Sequence, residues 1–130
     1  MKVREVMSAG PVTIAPDESV GLAVERMRAE QARHLPVVEG RSLVGMVSEH
    51  EVLASLIAMG DMAGSRRPVR EIMTTPVPVI APDAEAVEAA SKMAAMKIDC
   101  LPVMEGSRLI GIVTVTDLLS RQVFADAGSR

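Results

Sequence analysis

Apolar residues recur along this chain in two rhythms. Val20, Ala23, Val24 and Met27 fall at i, i+3, i+4 and i+7, the stripe that one face of an α-helix presents. Ala86, Ala89, Ala90 and Met93 repeat it with smaller residues, which predicts a close helix contact there. Unbroken apolar runs at 35–38 and 43–47 read as buried strands joined by the turn Glu39-Gly40-Arg41-Ser42. The runs 101–104 and 109–113, with the turn between them, copy that hairpin. Val12-Thr13-Ile14 and Val79-Ile80 are β-branched segments after proline, and each predicts a short strand. Pro16-Asp17 and Pro82-Asp83 supply helix-start chemistry, with the aspartate as the expected N-cap. A second helix follows from about Glu49 and from about Val115. The predicted order is β-α-β-β-α, twice, in a mixed α/β chain.

The two halves align without a gap. Val3-Arg4-Glu5-Val6-Met7 recurs as Val69-Arg70-Glu71-Ile72-Met73, and Ala15-Pro16-Asp17 as Ala81-Pro82-Asp83. Leu35-Pro36-Val37 recurs as Leu101-Pro102-Val103, and Leu43-Val44-Gly45 as Leu109-Ile110-Gly111. Every pair lies 66 positions apart (69 − 3), and 20 of the 54 positions in 3–56 are identical in 69–122. Chance would give about 4. The expected organisation is a first repeat at 1–59, a linker at 60–68, a second repeat at 69–124 and a fraying tail at 125–130. One copy of roughly 50 residues is too small for a secure core, so the two are expected to pack about a pseudo-twofold axis.

Composition narrows the function. In 130 residues the apolar fraction is 48%, too high for a disordered chain, and the net charge is −3. Phe124 is the only aromatic residue, so the stacking platforms of single-strand and RNA binders are missing, and nucleic acid is not an expected partner. Cys100 stands alone, which excludes an intramolecular disulfide and a cysteine-based zinc site. Met1-Lys2-Val3-Arg4-Glu5 has neither the apolar core nor the cleavage site of a signal peptide, and no apolar run is long enough to span a bilayer. The expected compartment is the cytoplasm.

Each copy combines Met-Ser/Thr, a strand, Pro-Asp, a helix ending in Met, Leu-Pro-Val, and Gly-hydrophobic-Val-Ser/Thr-x-x-acid. No single piece is specific, but the ordered set, found twice, resembles a tandem pair of cystathionine-β-synthase (CBS) domains, a Bateman module standing alone. The resemblance runs from about Val3 to Val123 and implies a ligand-controlled regulator without catalytic residues. It also implies clefts between the repeats that bind adenosine-containing molecules such as AMP, ADP, ATP, S-adenosylmethionine or NAD derivatives, with modules pairing through their helices into a disk. The protein being regulated is not identified by it.

The chemistry of such a site can be stated from the residues. An adenosine nucleotide needs an anion site, a ribose-diol partner and an apolar slot. Thr114-Val115-Thr116-Asp117 stands where a strand gives way to a helix. The Thr114 hydroxyl can donate to a phosphate oxygen, and the Asp117 carboxylate can accept from two ribose hydroxyls; the resemblance assigns these same roles. Ser/Thr-x-x-acid is equally a capping box, which needs no ligand. In Ser48-Glu49-His50-Glu51 the acid is Glu51, one carbon longer than Asp and a better capping-box residue. Two unequal sites are therefore expected, a competent one at Thr114/Asp117 and a weaker or empty one at Ser48/Glu51.

By resemblance, backbone groups around Val12-Thr13 and Pro78-Val79 approach the base. Arg33-His34 and Asp99-Cys100 line the cleft, and Ile98 and Ile112 are candidate apolar walls. For any one of these apolar residues, ordinary core packing is the competing account. Arg33 and His34 suit a phosphate, whereas Asp99-Cys100 offers an anion no help unless Lys97 or the linker pair Arg66-Arg67 compensates. His34 and His50 are not at metal-site spacing, and Cys100 precedes a buried strand and reads as inert. No P-loop or dinucleotide-binding glycine pattern occurs, so phosphate binding would be of neither kind, and with no metal spacing, no activated cysteine and no acid/base pair no enzyme is expected. The alternative function is an association module that binds no ligand.

Overall fold

A computed structural model describes residues 1–121. The expected tail at 125–130 and Phe124 lie outside them. In chain order the elements are α1 (Val3–Val6), β1 (Ser8–Ala9), α2 (Val20–Glu30), β2 (His34–Glu39), β3 (Ser42–Ser48) and α3 (Glu49–Met59). They are followed by α4 (Asp61–Arg66), a 3-10 turn (Val69–Glu71), α5 (Ala86–Met96), β4 (Cys100–Glu105), β5 (Arg108–Thr114) and α6 (Val115–Ser120).

Two compact units result, and they cut across the sequence repeats. One is Val12–Val77; the other joins Met1–Pro11 to the described residues from Pro78. Each unit thus takes its opening segment from the other copy. In the first, Val69 donates its N–H to the Glu18 carbonyl (2.8 Å) and Arg70 to that of Pro16 (2.9 Å). In the second, Val3 donates to Ala84 (2.9 Å) and Arg4 to Pro82 (3.0 Å), the same bonds 66 residues away. Val69 and Val3 are both fully buried, Val69 in the core of Ile14, Val20, Leu35, Val37 and Val47, and Val3 in that of Ile80, Ala86, Leu101, Val103 and Val113. Burial of a valine side chain contributes about 1.5–3 kcal/mol, enough to hold a short segment in place.

The hairpins form as their patterns predict. Leu35 faces Val47 and Val37 faces Gly45 in β2–β3; Leu101 faces Val113 and Val103 faces Gly111 in β4–β5. Both two-residue turns begin with a glycine at φ +63°, the left-handed conformation a tight hairpin needs. Gly45 and Gly111 serve a different purpose: a Cβ on either would overlap the thioether of Met73 or Met7, and at Gly111 it would also meet the Ser8 carbonyl at 2.9 Å. The repeat-matched methionines therefore lie against the glycine of the opposite copy.

Two expectations need correction. The segments at Val12-Thr13-Ile14 and Val79-Ile80 are not strands; each makes a single parallel bridge, Ile14 to Val37 and Ile80 to Val103. Asp17 and Asp83 are not N-caps. Pro16-Asp17 is used up in a turn, and α2 starts after Ser19, whose hydroxyl accepts the Leu22 N–H at 3.1 Å. Glu85 occupies that position before α5 and makes no side-chain cap bond. Within the segment 60–68 Asp61–Arg66 forms α4, with the backbone of Gly64 close against α3 at the Ser55 carbonyl. Among the described residues no helix is long and apolar enough to cross a membrane.

Candidate functional site

The strand-to-helix junctions β3–α3 and β5–α6 are built alike. Ser48 and Thr114 are extended N-caps with φ near −120°, and each closes a capping box with the acid three residues on. At the second junction the Thr114 hydroxyl accepts the Asp117 N–H (3.1 Å), and Asp117 Oδ2 accepts the Thr114 N–H (2.9 Å). The box uses a lone pair of the hydroxyl and one carboxylate oxygen. The hydroxyl proton stays available to donate, and among the described residues no donor reaches Oδ1 of Asp117. Capping and ligand binding are thus compatible at this junction.

The first junction is spent more fully. Glu51 Oε1 accepts the Ser48 N–H at 2.8 Å, and Oε2 accepts the hydroxyl of Thr74. Thr74 arrives from the segment the second copy contributes to this unit, where its backbone pairs with Met46 through two bonds of 2.8 and 3.0 Å. Sequence reasoning missed Thr74, since its contact spans 23 residues and follows from the exchange of segments.

Each junction collects part of the expected site. His34 lies opposite Ser48 across the first hairpin, and Cys100 opposite Thr114 across the second. Cys100 is buried, and burial, followed by the charges of Asp99 and Asp117, pushes its thiol up to about 12. A protonated thiol at neutral pH is a small apolar wall rather than a nucleophile. Arg33 is exposed and forms a loose ion pair with Glu49 (3.7 Å), a contact worth less than about 1 kcal/mol that leaves the guanidinium accessible. Its carbonyl accepts the Glu49 N–H, as that of Asp99 accepts the Val115 N–H, so residues 33 and 99 each tie a helix start to the strand before it. Ile98 packs on the core of the second unit, and Ile112 is half-buried, paired with Pro102 and Ser8.

Val12, Thr13, Pro78 and Val79 are all half-buried. The Thr13 carbonyl receives the Arg26 guanidinium at 2.9 Å, and the Val79 carbonyl receives the ammonium of Lys92, the matching residue of the other repeat. Backbone at these positions is therefore held by a cation from the neighbouring helix, a pairing the sequence signals only as Arg26 and Lys92 standing 66 apart. Of the linker pair, Arg67 is committed to Glu71 (3.1 Å) and the buried Ser55 hydroxyl (3.4 Å), while Arg66 is exposed at the end of α4. Between α2 and α3 lies an open groove of about 580 Å³ lined by Val24, Met27, Arg28, His50, Leu53 and Leu56.

The CBS domain model matches residues 3–58 and 69–123, and the chain belongs to the CBS-domain family as a pair of such domains. It is 32% identical over 128 residues to an inosine-5'-monophosphate dehydrogenase of Methanocaldococcus jannaschii, covering 97% of this chain but only 24% of that enzyme. Among solved structures it is similar to the CBS-domain pair of protein MJ0100 in complex with 5'-methylthioadenosine and S-adenosyl-L-methionine. The TM-score is 0.82 at 27% identity, over 100% of this chain and 98% of that one. A hexameric CBS-CP12 protein from bloom-forming cyanobacteria gives a TM-score of 0.88 at 29% identity, over 100% and 76% of the two chains.

Proposed function

We propose that this chain is a regulatory module that binds an adenosine-containing molecule at the β5–α6 junction and passes its bound state to a partner protein, with no reaction of its own. The observation that carries the reading is the Asp117 carboxylate: its capping bond occupies one oxygen and leaves the other to accept ribose hydroxyls, beside a Thr114 hydroxyl with its proton free to donate. The binding of S-adenosylmethionine and methylthioadenosine by the similar MJ0100 pair supports the ligand class. AMP, ADP, ATP and NAD share the same adenosine and are equal members of it. Regulation follows from linkage: a ligand that favours one arrangement of the pair shifts its population and the surface a partner meets. The cytoplasm is the proposed setting.

A thermal-shift series with S-adenosylmethionine, methylthioadenosine, AMP, ADP, ATP and NAD tests this. Ligand at about 100 times its dissociation constant should add about 2.7 kcal/mol of stability. Asp117→Ala should remove most of the shift, and Glu51→Ala should remove less. No shift with any of the six, or a shift lost only with Glu51→Ala, overturns the assignment.

Self-association accompanies this reading. Leu53 (56% exposed) and Ile57 (76%) on α3, and Leu119 (64%) on α6, are large apolar residues on helices, and we propose that they join copies of the chain into a homodimer. Were association the sole function, with no ligand bound, Leu53→Glu with Ile57→Glu would abolish the partner effect while Asp117→Ala left it intact.

A further inference from the structure

We infer that Thr74 and the extra methylene of Glu51 keep the Ser48 junction shut to adenosine-containing ligands, so that each chain takes one ligand, at Thr114 and Asp117; this rests on the function proposed above. A ribose diol brings two O–H donors and is held best by a carboxylate oxygen whose two lone pairs are both open. On Glu51 both oxygens already accept one bond, Oε1 from the Ser48 N–H at 2.8 Å and Oε2 from the Thr74 hydroxyl, whereas Asp117 keeps one oxygen with no bond at all among the described residues. Thr74 is exposed, but its backbone is fixed to Met46 by bonds in both directions, which keeps its hydroxyl beside the carboxylate. A ligand would have to compete with a donor already in place.

The second junction has the same parts arranged differently. Ser8 stands 66 residues before Thr74, and it pairs with Ile112 as Thr74 pairs with Met46. Its hydroxyl has no bond to Asp117 among the described residues, and the aspartate, one carbon shorter, reaches only the Thr114 N–H. The carboxylate length therefore decides whether the acceptor meets the incoming strand's hydroxyl or stays open. Glu51→Asp should withdraw the carboxylate from Thr74, and Thr74→Val should remove the donor while keeping a β-branched side chain that suits its paired, extended backbone. Asp117→Glu should let the longer carboxylate reach the Ser8 hydroxyl and shut the open site.

Isothermal titration of the full chain with AMP and, separately, with S-adenosylmethionine reads this as stoichiometry. The wild-type protein should bind one ligand per chain, and Glu51→Asp/Thr74→Val should bind two. Asp117→Glu should weaken the wild-type event by about tenfold or more, the loss expected for a charged hydrogen bond. Two ligands per wild-type chain, or one ligand per chain in both Glu51→Asp/Thr74→Val and Thr74→Val, overturns the inference and leaves the proposed function standing. Binding of neither probe to the wild-type protein overturns both.

Discussion

Replacing Val69 with alanine should loosen the hairpin 34–48, which precedes it in sequence, rather than the hairpin 100–114 of its own repeat. Val69 is fully buried among Ile14, Val20, Leu35, Val37 and Val47. Truncation removes two methyl groups from a closed site, a loss of about 1.5–3 kcal/mol once transfer and the residual cavity are counted. Hydrogen exchange resolves where that loss falls, because opening free energies differ between cooperative parts of a structure. Amides of Leu35, Val37 and Val47 should lose protection by about tenfold or more, and those of Leu101, Val103 and Val113 should lose far less. Val3→Ala should give the mirror image. If Val69→Ala instead deprotected 100–114 and spared 34–48, the repeats would fold as sequence-contiguous units and the exchanged segments would be wrong.

Other outcomes follow from particular contacts. Gly111→Ala should destabilise more than Gly45→Ala, by about 1–3 kcal/mol in urea melts, because its new Cβ meets the backbone carbonyl of Ser8 at 2.9 Å as well as a methionine that can move. Ser19→Ala should cost about 1 kcal/mol and Asp17→Ala much less, since the hydroxyl of Ser19 caps α2; equal losses would restore the aspartate as the cap. The Cys100 thiol, raised from 9.0 to about 12, keeps its proton in the folded state after the unfolded chain has lost its own. Its stabilisation is full below about pH 9 and disappears as pH rises toward about 12, with a total on the order of 4 kcal/mol. Urea midpoints between pH 8 and 10.5 should fall more steeply for the wild-type protein than for Cys100→Ala, and a thiol reagent at pH 8 should label Cys100 only as the protein unfolds.

Local pattern carried the hairpins and the helices, because Leu-Pro-Val, Glu-Gly and the i, i+3, i+4, i+7 stripes each specify their structure over a few residues. The exchange was not legible for a physical reason. Val3-Arg4-Glu5 and Val69-Arg70-Glu71 are identical, so either segment offers the same side chains and backbone groups to either core, and only tertiary closure decides. The N-cap failed where two capping residues lie two positions apart and Pro16 turns the chain first. At the candidate site, the difference between Glu51 and Asp117 was visible in the sequence. Its consequence was not, because the residue that engages Glu51 comes from the exchanged segment.

The most direct test of the proposed site is an amide NMR titration of the isotope-labelled protein with S-adenosylmethionine and with AMP. The account predicts saturable shifts centred on Cys100, Thr114, Val115 and Asp117, lost in Asp117→Ala. Shifts centred instead on the α2–α3 groove at Val24, His50 and Leu53, or no saturable shifts with either ligand, would contradict it.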